Sequence, residues 1–267
     1  MCDTCGCGNT NEIKYSIPGK NNNEDVNPKA HLHNHHEHDN DHDHNHSHNH
    51  SHELKIDLDL DVLYKNNLTA QRNRGFFEAK NIFAINFVSS PGSGKTTLLE
   101  KTINELKNKY SIAVIEGDQQ TMNDANRISA TGVPVIQINT GSGCHLDAEM
   151  INKAINKLDL PNNSILFIEN VGNLVCPALF DLGEAKRVVI MSVTEGEDKP
   201  LKYPYMFQTS HVCLINKNDL LPYLDFNIDD TKKYLMQVNH HLKLILLSLK
   251  SGDGFDQWIE WITNEIS

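Results

Sequence analysis

The sequence predicts a three-layer α/β fold with a mostly parallel sheet, set behind a disordered N-terminal extension that builds no core. Three observations carry this expectation. Beyond Asn81, seven short apolar runs recur, most with ten or more residues between them, which is the rhythm of parallel strands joined by crossover helices. A glycine-rich loop, SSPGSGKTT, sits between the first run and a helical stretch, TLLEKTINELKNKY. Roughly the first sixty residues lack a core-forming pattern, and they dilute the hydrophobic fraction of the 267-residue chain to 39%.

The extension divides into three parts. Residues 1–8, MCDTCGCG, place Cys2, Cys5 and Cys7 in CxxCxC spacing. Three thiolates on a short glycine-containing loop can wrap one ion, and loss of Met1 before Cys2 would free an α-amine as a fourth donor. Three sulfurs and a nitrogen in a flattened arrangement suit Ni²⁺, whereas tetrahedral thiolate sites suit Zn²⁺. Residues 9–30, rich in Asn, Gly, Pro and charge, have the composition of a solvated linker. From His31 to His52 there are eleven histidines in twenty-two residues. Neutral imidazole is the commonest metal ligand among side chains, so this segment reads either as a store for several Ni²⁺ or Zn²⁺ ions or as a low-complexity tail.

Residues 54–267 form the expected folded domain. Apolar residues recur at mixed spacing from Leu54 to Lys80, enough for a leading helix. The strand-like runs then follow in order: IFAINFVSS, IAVIEGD, VPVIQINT, SILFIEN, RVVIMSV, HVCLINKND and LKLILLSL.

Charge and composition exclude several function classes. A net charge of −11 with histidine neutral argues against a nucleic-acid partner, because phosphate backbones attract basic surfaces. There is no run of eighteen apolar residues and no basic-then-apolar leader, so a cytoplasmic protein without membrane partners is expected. In a reducing compartment the six cysteines read as thiols or metal ligands rather than disulfides.

The glycine-rich loop matches the Walker A pattern at Gly94, Lys95 and Thr96 but has Ser89 where the pattern has its first glycine. Pro91-Gly92-Ser93-Gly94 still provides backbone freedom for pointing N–H groups at phosphates, with Thr97 following. Lys95 would bridge the β- and γ-phosphates and Thr96 would place its hydroxyl on Mg²⁺. Asn216, Lys217, Asn218 and Asp219 form an NKxD tetrapeptide, whose aspartate can accept from both N1–H and the exocyclic amine of guanine. SLKSG, with Ser248 and Lys250, resembles the loop that packs on the base in guanine-binding P-loop proteins. Asp118 and Glu169 end two strands. Asp118 is the first choice for the Mg²⁺ shell, while Glu169, followed by Gly172 in a DxxG-like segment with Glu for Asp, would hold Mg²⁺ through water or orient the attacking water.

With NFVSSPGSGKTTLLEKT, IEGDQQTMNDANRI, GVPVIQINTGSGCHLDAEM, LFIENVGNLVCPALFDLGE, LINKNDLLPY and the leading CDTCGCG, the chain resembles the hydrogenase nickel-incorporation GTPases, the HypB family. The resemblance implies a P-loop GTPase with slow, Mg²⁺-dependent hydrolysis and GTP-dependent homodimerisation. It also implies delivery of Ni²⁺ to the large subunit of nickel-iron hydrogenase, together with a small nickel- and zinc-binding partner protein. Urease accessory GTPases are similar in the nucleotide site but lack the CxxCxC cluster. The same motifs also admit a nickel store with a regulatory G domain, or an ATP-dependent P-loop enzyme.

One more ligand set is expected inside the domain. Cys144 and His145 follow NTGSG, and Cys176 follows the Glu169 strand. Loops at strand C-termini converge in such sheets, so these three residues can meet near the γ-phosphate, and a two-fold axis would double the donors. Cys213 reads as core, and His211, His240 and His241 have no usable partner spacing.

Overall fold

The computed structural model describes residues 13–19, 50–119 and 121–266, with the backbone alone for residues 50–59. Cys2, Cys5, Cys7 and residues 31–49 of the histidine-rich segment lie outside the described residues, so the metal-binding expectations placed on them are neither met nor overturned.

Every one of the seven apolar runs is a strand. They form β2 (Phe83–Ser89), β3 (Ser111–Asp118), β4 (Val135–Asn139), β5 (Ser164–Glu169), β6 (Lys186–Ser192), β7 (Val212–Asn216) and β8 (Lys243–Leu246), joined at one edge by β1 (Lys14–Ser16). The order across the sheet is β1-β4-β3-β5-β2-β6-β7-β8, with every pairing parallel except the antiparallel β1–β4. Because both faces of such strands are covered, they read as continuous apolar runs rather than alternating ones. Along β2, Ile85 and Phe87 belong to one core and Ala84 and Val88 to the opposite side, as the pleat requires.

Three layers result. On one face lie α2 (Lys95–Leu106), α3 (Asn123–Ser129) and α9 (Phe255–Ile266), with Leu98, Leu99, Ile128, Trp258 and Ile262 packed over Phe87 and Phe167. On the other, α1 (His50–Ala79) and α4 (Ala148–Ile155) cover the β3–β4–β5 half through Phe77 and Ile151, while α7 (Pro204–Gln208) and α8 (Ile228–Val238) cover β6 and β7 through Phe207 and Leu235. Two short α-helices, α5 (Cys176–Leu179) and α6 (Lys199–Lys202), and a 3₁₀ helix over Asn218–Tyr223 complete the set among the described residues. No helix among those residues is long and apolar enough to cross a membrane.

The structure departs from the sequence-based expectation at one place. The linker assigned to residues 9–30 is interrupted by β1, where Ile13, Tyr15 and Ile17 alternate and pack on the core, with Lys157 Nζ 4.5 Å above the Tyr15 ring. A three-residue strand amid Asn, Gly and Pro is too short to register in composition. The leading helix expected over Leu54–Lys80 is α1, described here from His50 to Ala79. Its mixed apolar spacing also has a cause: the buried face uses amides. Asn66 donates to Asp181 O at 2.8 Å and accepts from Ala148 N at 2.9 Å, and Asn73 donates to Ala148 O at 2.8 Å and Leu182 O at 3.1 Å.

Trp258 locks α9 onto the helix that starts at the glycine-rich loop. It is fully buried, meets Phe87 edge-on at 5.9 Å, stacks on Trp261 and donates from Nε1 to Thr102 Oγ1 at 2.9 Å. Trp258→Ala should lower unfolding free energy by about 3–5 kcal/mol, measured by urea titration, because a large buried ring and a satisfied donor are lost together.

Candidate functional site: a nucleotide cleft beside a thiol–imidazole cluster

The loop from Ser89 to Lys95 is shaped by two left-handed glycines, Gly92 at φ 75° and Gly94 at φ 100°. Gly94 caps α2, and a side chain there would collide with Asn216 Nδ2. Ser89, the departure from the Walker A pattern, ends β2 without a positive φ and donates to Ser90 O at 2.8 Å, so no glycine is needed at that point. The NKND segment holds the loop from the other side. Asn216 Nδ2 donates to Ser93 O and Lys217 Nζ to Gly92 O, both at 2.8 Å.

Next to this loop lies a second, more apolar hollow of about 490 Å³, between Gly94, Thr97, Asn216, Asp219, Leu249 and Lys250. Ser248 Oγ donates to Asp219 Oδ1 at 2.6 Å and accepts from Lys250 N at 3.2 Å, so the SLK loop aims the Asp219 carboxylate. The base-binding residues expected from the sequence therefore meet in one place.

The main cleft, about 600 Å³, runs from Ser89–Thr97 past Glu116, Asp118, Glu169 and Gly172. Gly172 packs against Pro91, where a Cβ would sit 3.2 Å from the ring. Glu169 reaches into the P-loop: its Oε1 accepts from Thr96 Oγ1 at 2.7 Å and lies 3.3 Å from Lys95 Nζ. Asp118 lines the same cleft, with its Oδ2 accepting from Thr121 N and Oγ1 at 2.9 Å each.

Glu116, which sequence reasoning passed over, pairs in register with Glu169 across β3 and β5. Burial first, then the neighbouring Glu169 and Asp118, push its carboxyl up to about 9. Burial likewise raises Glu169, opposed by Lys95 and Thr96. Two buried carboxyl groups thus face one lysine, and the Oε2 atoms of both, with Ser93 Oγ, have no hydrogen-bond partner. Buried orphans of this kind call for a ligand. A phosphate anion for Ser93 and the loop N–H groups, and a divalent cation for the carboxylates and Thr96, fit the donor set.

A second site forms on the segments that follow β4 and β5. The ligand atoms of Cys144, His145 and Cys176 all lie within 4.8 Å of one another, with Cys144 Sγ 3.7 Å from His145 Nδ1. His145 is buried and stacked on Phe180 at 3.9 Å, and burial lowers its pKa to about 4, leaving a neutral imidazole ready to ligate. Three donors leave a tetrahedral ion one short.

A buried polar chain sets the positions of both loops. Asn170 Oδ1 accepts from Leu146 N at 3.1 Å and Val171 N at 3.0 Å, while its Nδ2 donates to Asn86 Oδ1 at 3.3 Å. Asn86 Nδ2 in turn donates to Glu184 Oε1 at 3.1 Å, and Arg187 pairs with that same oxygen at 2.8 Å while donating to Ala178 O at 3.1 Å and Phe180 O at 3.0 Å. On the far side, Thr140 N donates to Asp118 O at 2.9 Å and Gln119 Nε2 to Gly143 O at 3.3 Å. Cys213 is core, its thiol pushed up by burial, and His211 Nδ1 accepts from Arg187 N at 3.1 Å, while His240 and His241 are at the surface.

The raised Glu116 pKa fixes a pH dependence. Below the unfolded value both states are protonated and nothing is lost; as pH rises toward 9 the unfolded chain ionises first, so stability falls across that window. Glu116→Gln should therefore stabilise the metal- and nucleotide-free protein at pH 7, by on the order of 2 kcal/mol, with the gain vanishing near pH 4. Thermal melts at the two pH values check this.

A family model described as the CobW/HypB/UreG nucleotide-binding domain matches residues 83–246. The chain is 58% identical over 204 residues to hydrogenase maturation factor HypB of Escherichia coli strain K12, covering 76% of this chain and 70% of that protein. It is 42% identical over 205 residues to the probable hydrogenase maturation factor HypB of Methanocaldococcus jannaschii, covering 77% and 93%. Two solved structures superpose with a TM-score of 0.72 at 37% identity. They are HypB from Archaeoglobus fulgidus, with 76% of this chain and 100% of that chain covered, and HypB from Helicobacter pylori in complex with nickel, with 76% and 95% covered. A P-loop cleft built on this sheet, with a thiol–imidazole cluster at its strand ends, thus has relatives along most of its length, and the chain belongs to the HypB hydrogenase maturation factors of the CobW/HypB/UreG family.

Proposed function

We propose that this chain is a GTP-hydrolysing nickel metallochaperone of the cytoplasm that delivers Ni²⁺ to the large subunit of nickel-iron hydrogenase. In this reading a nickel- and zinc-binding maturation partner works beside it, and GTP favours a homodimer. Residues 1–8 and 31–52 serve as terminal metal sites in front of the GTPase domain. One observation carries the proposal: the Cys144, His145 and Cys176 cluster and the nucleotide cleft share their supports, since Asp118 O anchors the loop of Cys144 and Asn170 follows Glu169 directly.

The roles follow from position. Gly92, Ser93, Gly94, Lys95, Thr96 and Thr97 cradle the phosphates, and Gly172 reports the γ-phosphate through its N–H. Asn216, Lys217, Asp219, Ser248 and Lys250 form the guanine pocket. Mg²⁺, held by Thr96 with Glu169 and Asp118, would neutralise phosphate charge. Lys95 stabilises the charge that develops as the terminal phosphoryl group leaves, and Glu169 orients the attacking water. Cys144, His145 and Cys176 take Ni²⁺ as cargo, or Zn²⁺ in its place, and a second subunit supplies the missing donor. Nucleotide can gate the cargo only if the bound and hydrolysed states differ in metal affinity.

Two variants test separate halves. Asp219→Asn replaces one acceptor with an amide donor, which faces the guanine amine but complements the C2 oxygen of xanthine. GTP affinity should fall at least a hundredfold while xanthosine triphosphate binding appears, read by nucleotide titration. Cys176→Ala should remove the Ni²⁺ held by the paired clusters, one ion per dimer, in equilibrium dialysis and leave GTP hydrolysis within about twofold, since Cys176 does not line the nucleotide cleft. Retention of the full nickel count would overturn the cargo assignment.

A further inference from the structure

Among the described residues three cations border the nucleotide cleft, Lys95, Lys217 and Arg127, and Arg127 is the one that belongs to no nucleotide-binding motif. It lies on α3, whose Ala125 and Ile128 pack into the same core as Leu98 and Leu99 of α2. Its guanidinium is held on three sides. Nε and Nη2 donate to the two oxygens of Glu100 at 3.3 and 2.6 Å, Nη1 donates to Asp124 Oδ1 at 3.3 Å, and Nη2 also donates to Thr97 Oγ1 at 3.0 Å.

Pinning α3 to α2 is a small return for this arrangement. The Arg127 side chain is 44% exposed, and ion pairs at such exposure contribute on the order of 0–1 kcal/mol. The bond to Thr97 has a different consequence. Because Oγ1 accepts from Arg127, the hydroxyl proton points away from the guanidinium and is free to donate elsewhere. Glu100 and Asp124 fix the guanidinium, so Thr97 Oγ1 is set in place before any ligand arrives.

The two hollows show where that donor sits. Gly94, Thr97 and Lys217 border both the phosphate cleft and the more apolar hollow that contains Asp219. A nucleotide with its base at Asp219 and its terminal phosphates at Lys95 and Thr96 crosses this border with its ribose and α-phosphate. Gly94 has no side chain and Lys217 Nζ is engaged by Gly92 O, which leaves Thr97 Oγ1 as the side-chain donor at the crossing. It stands in the first turn of α2, where an anion is also favoured by the helix dipole.

We propose that Arg127 is a positioning residue for the α-phosphate: it holds Thr97 Oγ1 so that the hydroxyl donates to an α-phosphate oxygen, and its charge offsets the charge of that group. The inference rests on the guanine-nucleotide reading of the cleft. The α-phosphate is common to GTP and GDP, so Arg127 governs how firmly nucleotide is held before and after hydrolysis alike, whereas Lys95 acts on the β- and γ-phosphates.

The test is titration of the full-length chain with a non-hydrolysable GTP analogue and with GDP, both in Mg²⁺. Arg127→Gln should weaken the two by the same factor, about tenfold. Thr97→Val keeps the outline of the side chain and leaves Arg127 paired with Glu100 and Asp124, so it probes the same contact without disturbing α3; it should show the same loss for both nucleotides. The double variant should bind no more weakly than either single one, because the two residues act as a unit. Additive losses would mean that Arg127 merely joins α3 to α2 and would overturn the positioning role. A loss confined to the triphosphate analogue would move Arg127 to the γ-phosphate and overturn the α-phosphate assignment, and unchanged affinities for both would remove Arg127 from binding altogether. Each of these outcomes requires a wild-type chain that binds guanine nucleotide; a wild-type chain that binds neither would refute the guanine reading itself, and this inference with it.

Discussion

The carboxamide of Asn170 is the constraint around which both sites are arranged. It occupies the position just after the strand end that brings Glu169 to Lys95 and Thr96. Its oxygen accepts the backbone N–H immediately beyond His145, and its amine extends the chain through Asn86 and Glu184 to Arg187, which holds the carbonyls of α5 and of Phe180. A buried polar chain is stable when its members satisfy one another, and removing one leaves the others to bear the desolvation cost. The end of β5 and the loops of Cys144, His145 and Cys176 are thus linked by one continuous chain of hydrogen bonds.

The cleft has the opposite character. Glu116 and Glu169 lie across from one another with a single lysine between them and the P-loop, and two of their oxygens and Ser93 Oγ are unmatched. Burial holds both carboxyl groups above their ordinary range, and a cation beside them would offset the cost of ionising them there.

Much of this was legible in the sequence, for identifiable reasons. The seven parallel strands announced themselves because burial on both faces leaves unbroken apolar runs, and the convergence of Cys144, His145 and Cys176 follows from loops meeting at strand C-termini. The NKND and SLK segments likewise found each other, through Ser248 and Asp219. β1 was hidden because three residues of alternation are swamped by polar neighbours. The polar chain could not be read at all: Asn86 and Glu184 are 98 positions apart, and a lone Asn in an apolar strand does not say what it will face. Glu116 left a trace, an acid inside VIEGD, but only the β3–β5 register puts it beside Glu169.

The nucleotide cleft and the thiol–imidazole cluster share hydrogen-bonded supports, and reciprocal binding tests whether ligands at the two are coupled: Ni²⁺ affinity with and without a non-hydrolysable GTP analogue, paired with analogue affinity with and without Ni²⁺. In the chain with Cys2, Cys5 and Cys7 replaced by serine and residues 31–52 deleted, only the cluster remains as a thiol site. Each ligand should change the affinity of the other by the same factor, about fivefold or more, and Cys144→Ala should abolish both changes. Affinities that stay unaltered in both directions would rule out the shared support.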